Sequence, residues 1–499
     1  MKKLNLRLWG LLIFAILTRV PYLLNQSIAF DFDHGRDLLA ALHIWKSRSL
    51  RFTGPWTSIP GLFFGPAWYY FLGLINLISQ HPMAPVWGML TIGLGQIWLA
   101  FKFFGIWEGL MVATAPVWII LSTGASNAFP MTLVSWIMLI LLKPVMDKKK
   151  VTMKQWFWLG LVMALGFHFS SALAVFYLMT VPLILIINKT KLNVNKFLAG
   201  VGGFIVPFIP QLLFEIKNKF IQTKALIAYF SQGTNRTFKF QTVEYYAKAV
   251  MHELGLGVLP EALGNNRIKL LGLGVLLLGA LWMVVKEKKI KYLKEMLILV
   301  VVPILGFSMI HFNAWYAYGL LPVAVILVGQ ILKNSPKLIQ VIYLFLLLLT
   351  PLSGLKHYYS KSKAMIDQGK AFLPIKIKAI DYVYQQAGNQ PFNSYQYMGE
   401  IYDYGYQYLY FWQGLKGKQL PVEFSYKPGE VSYVTEKQNL LKLFPESKEK
   451  PEKTFLIINL PENKFHYPVE AWLDQFNVTE LVSRHQLSDE VWVWEVKIN

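Results

Sequence analysis

The chain has 499 residues, with 49 Lys and Arg against 28 Asp and Glu for a formal net charge of +21, and only 15% of its residues are charged. Soluble domains carry about 25% charged residues; here hydrophobic residues reach 55% and the mean hydropathy is +0.39, which excludes an ordinary soluble enzyme and a disordered chain. With no cysteine, disulfides, thiolate metal sites and a cysteine nucleophile are excluded too.

In chain order, apolar segments cover residues 6–24, 62–80, 84–101, 107–122, 125–142, 156–168, 170–187, 197–214, 268–285, 295–310, 313–331 and 338–355. Several approach the ~20 residues needed to span a bilayer. The pattern predicts a polytopic α-helical membrane protein of about 11–12 hydrophobic helices over residues 1–355 and a C-terminal soluble α/β domain over 356–499. Residues 356–499 hold 17 basic and 17 acidic residues, so the whole excess lies in the apolar part. That is a topology signal and not a nucleic-acid footprint. Lysine clusters at 143–154, 189–196, 286–294 and 333–337 mark cytoplasmic loops. They predict a multi-pass plasma-membrane protein with a cytoplasmic N-terminus, a first outside loop over 25–61 and an extracytoplasmic C-terminal domain. Parity then requires that one early segment not cross; 62–80, punctuated by Gly61, Gly65 and Pro66, is the candidate.

In the tail, the spacing predicts a helix over 375–386 and strands over 455–460 and 491–496. The alternating Tyr402, Tyr404, Tyr406, Tyr408 and Tyr410 read as one face of a strand or as a sugar-stacking surface.

The strongest local signal is Asp31-Phe32-Asp33-His34-Gly35-Arg36-Asp37, three acids within seven positions of a segment otherwise poor in acids. Acids beside a membrane are costly unless solvated, paired or functional. A carboxylate there can act as general base on an acceptor hydroxyl, two can hold a divalent cation, and Asp33 or His34-Gly35 can also start a helix running to Trp45. Half of the eight arginines, Arg19, Arg36, Arg48 and Arg51, flank this loop. Their planar forks suit phosphate, whether of a substrate or of a lipid headgroup.

Asp33-His34-Gly35-Arg36-Asp37, Gly54-Pro55-Trp56-Thr57-Ser58 and Gly65-Pro66-Ala67-Trp68-Tyr69-Tyr70, in that order, resemble the opening of bacterial GT-C membrane glycosyltransferases of the dolichyl-phosphate-mannose–protein mannosyltransferase and aminoarabinose-transferase type. Further matches are Ser126-Asn127-Ala128-Phe129-Pro130, Gly166-Phe167-His168-Phe169-Ser170, Pro210-Gln211-Leu212-Leu213-Phe214-Glu215 and the stretch from His311 to Pro322. The resemblance implies transfer of a sugar, with inversion, from a polyprenyl-phosphate donor to a hydroxyl of a glycan, lipid or protein acceptor at the outer face. It carries the general-base role to Asp33, with Asp31 in reserve. Arg36 would meet phosphate or order the loop, and Asp37, His34, Tyr69, Tyr70, Asn127, His168, Glu215 and His311 complete the substrate-binding set. Many relatives carry a second acid where Asn127 stands, so a divalent cation (Mg or Mn) stays an open cofactor.

Plain structural readings stand beside these. His168 is a hydrogen-bonded core histidine, Glu215 an interfacial acid paired with Lys217 and Lys219, and Arg36 a salt-bridge partner of Asp33 or Asp37. Two other functions compete: a transporter or flippase of lipid-linked sugars, which predicts charged or broken helices within the bilayer, and a non-catalytic cell-envelope receptor working through the tyrosine-rich tail.

Overall fold

The computed structural model describes residues 6–231, 240–261, 274, 290–308, 312–352, 355–367, 372–398, 402–430, 433–445, 450–460 and 468–498. The expected segment 268–285 and His311 lie outside the described residues. Contacts divide the chain into two compact units. One comprises Met1–Arg19, Arg51–Trp68 and Met89–His357, the other Val20–Leu50, Tyr69–Gly88 and Tyr358–Asn499.

The first unit is helical. Among the described residues, four helices are long and apolar enough to cross a membrane: α1 (Leu6–Leu24), Ala84–Phe103, Val194–Lys217 and Ala314–Asn334. The expected single segment 107–122 is instead a broken pair, Ile106–Thr114 and Pro116–Thr123, bent by 61°. Pro116 lacks an N–H, and Ala115 before it is extended (φ −71°, ψ 143°), as the residue before proline prefers. The break deprives the carbonyls of Val112 and Ala113 of their helical donors. Arg19 of α1, fully buried, supplies replacements: its guanidinium donates to Ala113 O at 2.8 Å and Val112 O at 3.1 Å. Arg19 is thus part of the helix packing, not of a phosphate-binding loop. Arg19→Met should leave two buried carbonyls unpaired at about 1–3 kcal/mol each; a lowered unfolding temperature in detergent checks this.

Residues 54–64 form a small hairpin in this unit, with Gly54 N–H to Phe64 O and Phe64 N–H to Pro55 O both at 2.8 Å. The helix that follows, Ala67–Ile78, has 12 residues, about 18 Å of length. It is too short to cross a hydrocarbon core of about 30 Å unaided.

The second unit joins the first-loop helix α2 (Phe32–Ser47) to the tail. The expected tail elements are present as the helix Leu373–Ala387 and the strands Lys453–Asn459 and Val491–Ile498. We number the strands β1 (Phe392–Met398), β2 (Phe424–Ser425), β3 (Lys453–Asn459), β4 (Val478–Gln486) and β5 (Val491–Ile498). Their order is β2-β1-β3-β5-β4, parallel across β2-β1-β3 and antiparallel for β3-β5 and β5-β4.

The alternating tyrosines are neither strand nor exposed sugar platform. Tyr404, Tyr406, Tyr408 and Tyr410 lie on the helix Tyr404–Leu415, and all four are buried. A two-residue step on a helix turns about 200°, so alternate tyrosines face opposite ways. Both faces are enclosed here: Tyr410 donates to Ser394 Oγ of β1 at 2.5 Å, while Tyr404 meets α2. The segment before α2 is stitched to the tail as well. Leu373 N–H donates to Ile28 O at 3.0 Å, Ser27 Oγ to Ser362 O at 3.0 Å, and the buried Lys376 ammonium to Phe30 O.

Candidate active site

The acid cluster forms the first turn of α2. Asp31, not Asp33 or His34, is the N-cap: its Oδ1 accepts the His34 backbone N–H at 3.1 Å and the His34 ring Nδ1–H at 2.7 Å. Further along the turn, the Arg36 guanidinium joins two carboxylates. Nε and Nη2 donate to Asp37 Oδ1 at 2.8 and 2.7 Å, and Nη1 meets Asp33 Oδ1 at 2.7 Å. The Arg36–Asp37 pair is buried, whereas the Asp33 side chain is 57% exposed. One buried cation therefore holds one buried and one solvent-facing carboxylate, and Asp33 is the acid left open to an incoming group.

The charges support each other. Burial opposes the Arg36 cation, but Asp37, then Tyr69 and Asp33, more than compensate and keep it charged; this places Tyr69 within the cluster's field. Burial pushes the Asp31 carboxyl up, yet the charge and hydrogen bonds of His34, then Lys376, hold it well below the usual carboxylate range. Burial also works against the His34 cation, and Asp31 outweighs it, so the imidazole titrates above its ordinary value.

Contacts with the tail hold this turn in place. Gly35 lies against the Tyr404 backbone: a Cβ there would stand 2.2 Å from Tyr404 C and 2.3 Å from Gly405 N. The Arg36 guanidinium lies 5.3 Å over the Phe32 ring. Phe32 stacks on Tyr402 at 6.1 Å and meets Tyr404 edge-on at 5.0 Å, and Tyr402 stacks on Tyr433 at 5.1 Å. Tyr433 donates to the buried Asp403 at 2.7 Å. Burial raises the Asp403 carboxyl, with Tyr433, Gln407 and Lys437 opposing; burial brings the nearby Lys437 down to about 8. Phe32, Lys376, Asp403 and Tyr433 are the supporting residues that sequence reasoning missed. Phe32, an aromatic set among three acids, was the one local clue.

The remaining expected residues are placed elsewhere. Tyr70 lines a cavity at the other end of α2. His168, buried in the helix Met153–Phe169 of the first unit, accepts the Ala67 N–H at 3.2 Å on Nδ1. Gly65 rests on its ring, where a Cβ would be 2.3 Å away, so this histidine positions the end of the hairpin. Glu215 departs from the expected lysine pairing. Its carboxylate caps the helix Ile221–Ser231, accepting Gln222 N–H and Thr223 N–H at 2.9 Å and Thr223 Oγ1–H at 2.6 Å. Gln222 then accepts the Phe63 N–H at 2.9 Å, which anchors the hairpin. Asn127 sits half-buried in the turn before the helix Met131–Met146, in the same unit as His168 and Glu215.

Among the described residues, no group of three His, Asp or Glu side chains is arranged to hold a metal ion. In the acid cluster the guanidinium of Arg36 takes the place between Asp33 and Asp37 that a cation would need, so these residues do not fit a divalent ion.

Long apolar helices make up one unit, and an acid-headed first-loop helix is built into a C-terminal mixed-sheet unit in the other. The same fold is found in the crystal structure of ArnT from Cupriavidus metallidurans bound to undecaprenyl phosphate, with a TM-score of 0.56, 12% sequence identity and coverage of 98% of each chain. No family model matches the chain, and no curated protein does.

Gly35→Ala should drive α2 off the tail helix and cost about 1–3 kcal/mol or more, the usual price of overpacking against backbone; thermal unfolding measures it. The Asp31–His34 pair makes a signed prediction. Asp31 titrates below its ordinary 3.8, so its contribution is present above that pH and fades in acid. His34 titrates above its ordinary 6.5, so its contribution is complete below that pH and is lost as pH rises through the raised value. The contact should be strongest between these limits, and His34→Gln should flatten the alkaline fall in unfolding temperature.

Proposed function

We propose that this chain is a glycosyltransferase that moves a sugar from a polyprenyl-phosphate donor to an acceptor hydroxyl at the outer membrane face. The observation that carries the reading is the acid–arginine turn at the head of α2, held rigidly within the fold of a protein solved with undecaprenyl phosphate. Asp33 accepts the proton of the acceptor hydroxyl. The hydroxyl oxygen attacks the anomeric carbon as the bond from that carbon to the phosphate oxygen breaks, and polyprenyl phosphate leaves. A single displacement inverts the anomeric centre. Arg36 keeps Asp33 aimed, and Asp37 keeps Arg36 in place. Tyr69 lies within the electrostatic field of the cluster. The apolar module of residues 1–355 crosses the membrane eleven times from a cytoplasmic N-terminus, with the tail outside. That α2 and the tail share one compact unit supports a topology with both on the same side.

A flippase would use charge at helix breaks within the apolar module. The break at Ala115 does carry Arg19, but its guanidinium is engaged by the carbonyls of Val112 and Ala113, which favours transfer at the loop over passage through the helices.

In nanodiscs, release of sugar from labelled polyprenyl-phosphate sugars should fall by about 10²–10⁴-fold in Asp33→Asn, the range of general-base contributions, with donor binding retained. Wild-type turnover in that variant would remove Asp33 from the base role. Lipid-sugar movement across the bilayer without release would move the chain to the flippase class.

A further inference from the structure

Helix α2 carries its acids at one end and a cationic cavity at the other. Thirteen residues separate Asp33 from Lys46, about 20 Å along the helix, so the cavity is separate from the acid cluster. It has a volume of about 630 Å³ and is lined by Ile44, Trp45, Lys46, Arg48, Tyr70, Gly73, Leu74 and Leu77, within the 300–1,000 Å³ typical of small-ligand sites. Among the described residues, none that lines it is acidic.

Its two walls differ in chemistry. On the α2 side stand the cations: Lys46, whose ammonium lies 4.8 Å over the Trp45 ring and 5.9 Å from the Phe444 ring, and Arg48, the left-handed C-cap residue of α2. On the other side is the helix Ala67–Ile78. Gly73 opens space against Ile44, and Leu74, Leu77 and Ile78 are 64%, 62% and 85% exposed. In water so bare an apolar face would be a liability. In a chain with four helices of membrane-crossing length, a short apolar helix of this kind suits the interface between acyl chains and headgroups.

We propose that this cavity binds an anionic phospholipid of the surrounding bilayer. The phosphate sits between Lys46 and Arg48, and the acyl chain runs along Leu74 and Leu77. Charge complementarity selects the headgroup: two cations with no acid among the described lining residues favour an anion, and Arg48 offers a planar fork that matches phosphate oxygens. The apolar wall excludes a free phosphate as the natural occupant, since it would leave Leu74 and Leu77 bare. The lipid would fasten the end of α2 opposite the acid turn, so the helix is held by the tail at its head and by the bilayer at its foot. This assignment does not depend on the transfer chemistry.

The test uses the full chain in nanodiscs containing a photoactivatable phosphatidylglycerol, with cross-links mapped by peptide mass spectrometry. Labelling should concentrate on residues 44–48 and 70–77, and unlabelled phosphatidylglycerol should displace it while phosphatidylcholine does not. K46Q/R48Q should weaken this binding about 30-fold, the loss of two cations at about 1 kcal/mol each. Gly73→Leu keeps both cations but fills the cavity, so it should also abolish labelling there, with the unfolding temperature of each variant confirming the fold. Undiminished labelling in K46Q/R48Q would overturn the proposal. Full labelling in Gly73→Leu would overturn it too, reducing the effect to surface attraction. Displacement by undecaprenyl phosphate alone would overturn it by giving the cavity to a donor lipid.

Discussion

Backbone meets backbone where α2 passes the start of the helix Tyr404–Leu415, and only a hydrogen at Gly35 Cα allows it. This contact fixes the acid turn. Once α2 is pressed against the tail at Gly35, Phe32 must enter the Tyr402–Tyr404–Tyr433 aromatic group, and Arg36 is left lying over the Phe32 ring. A guanidinium so buried must be neutralised, and Asp37 does so directly. The third donor of Arg36 then reaches outward to Asp33. A single steric constraint thus becomes an electrostatic one, with one carboxylate hidden and one displayed.

Charged groups stay in one place only where fixed partners outcompete water for them. Here the holding is done by elements distant in sequence. The tail supplies aromatic rings, the buried Lys376 and the Asp403 group behind Tyr433. In the other unit, His168 and the Glu215-capped turn secure the hairpin that precedes the helix Ala67–Ile78. Histidine and glutamate at these positions have the residue types of catalysis, and here their side chains accept hydrogen bonds from backbone N–H groups.

Much of the architecture was legible. Continuous apolar runs predict helices because a chain in lipid must satisfy its backbone within each segment. The tail elements followed from local periodicity, as the helix Leu373–Ala387 and the strands Lys453–Asn459 and Val491–Ile498 bear out. The failures are equally physical. Hydropathy saw one segment over 107–122 because it weighs side chains, whereas the break at Ala115 arises from a missing N–H on Pro116 and is repaired by Arg19, far away in the chain. The alternating tyrosines mimicked a strand because a period of two is the strand signature, and only enclosure of the helix Tyr404–Leu415 on both faces makes such a pattern stable as a helix.

Composition and charge placement by themselves determined that the chain is an apolar helical protein with a neutral α/β tail, and that the dense acid cluster of its apolar part lies in the first loop. Those properties are sums over residues or neighbours in sequence, so no folding is needed to read them. Which acid faces outward, which is clamped, and what each histidine bonds to were decided only by tertiary structure. The acid turn is held by partners hundreds of residues away, Gly35 by Tyr404 and Phe30 by Lys376. A carboxylate's role is set by the donors around it, and those donors come together only when the chain has folded.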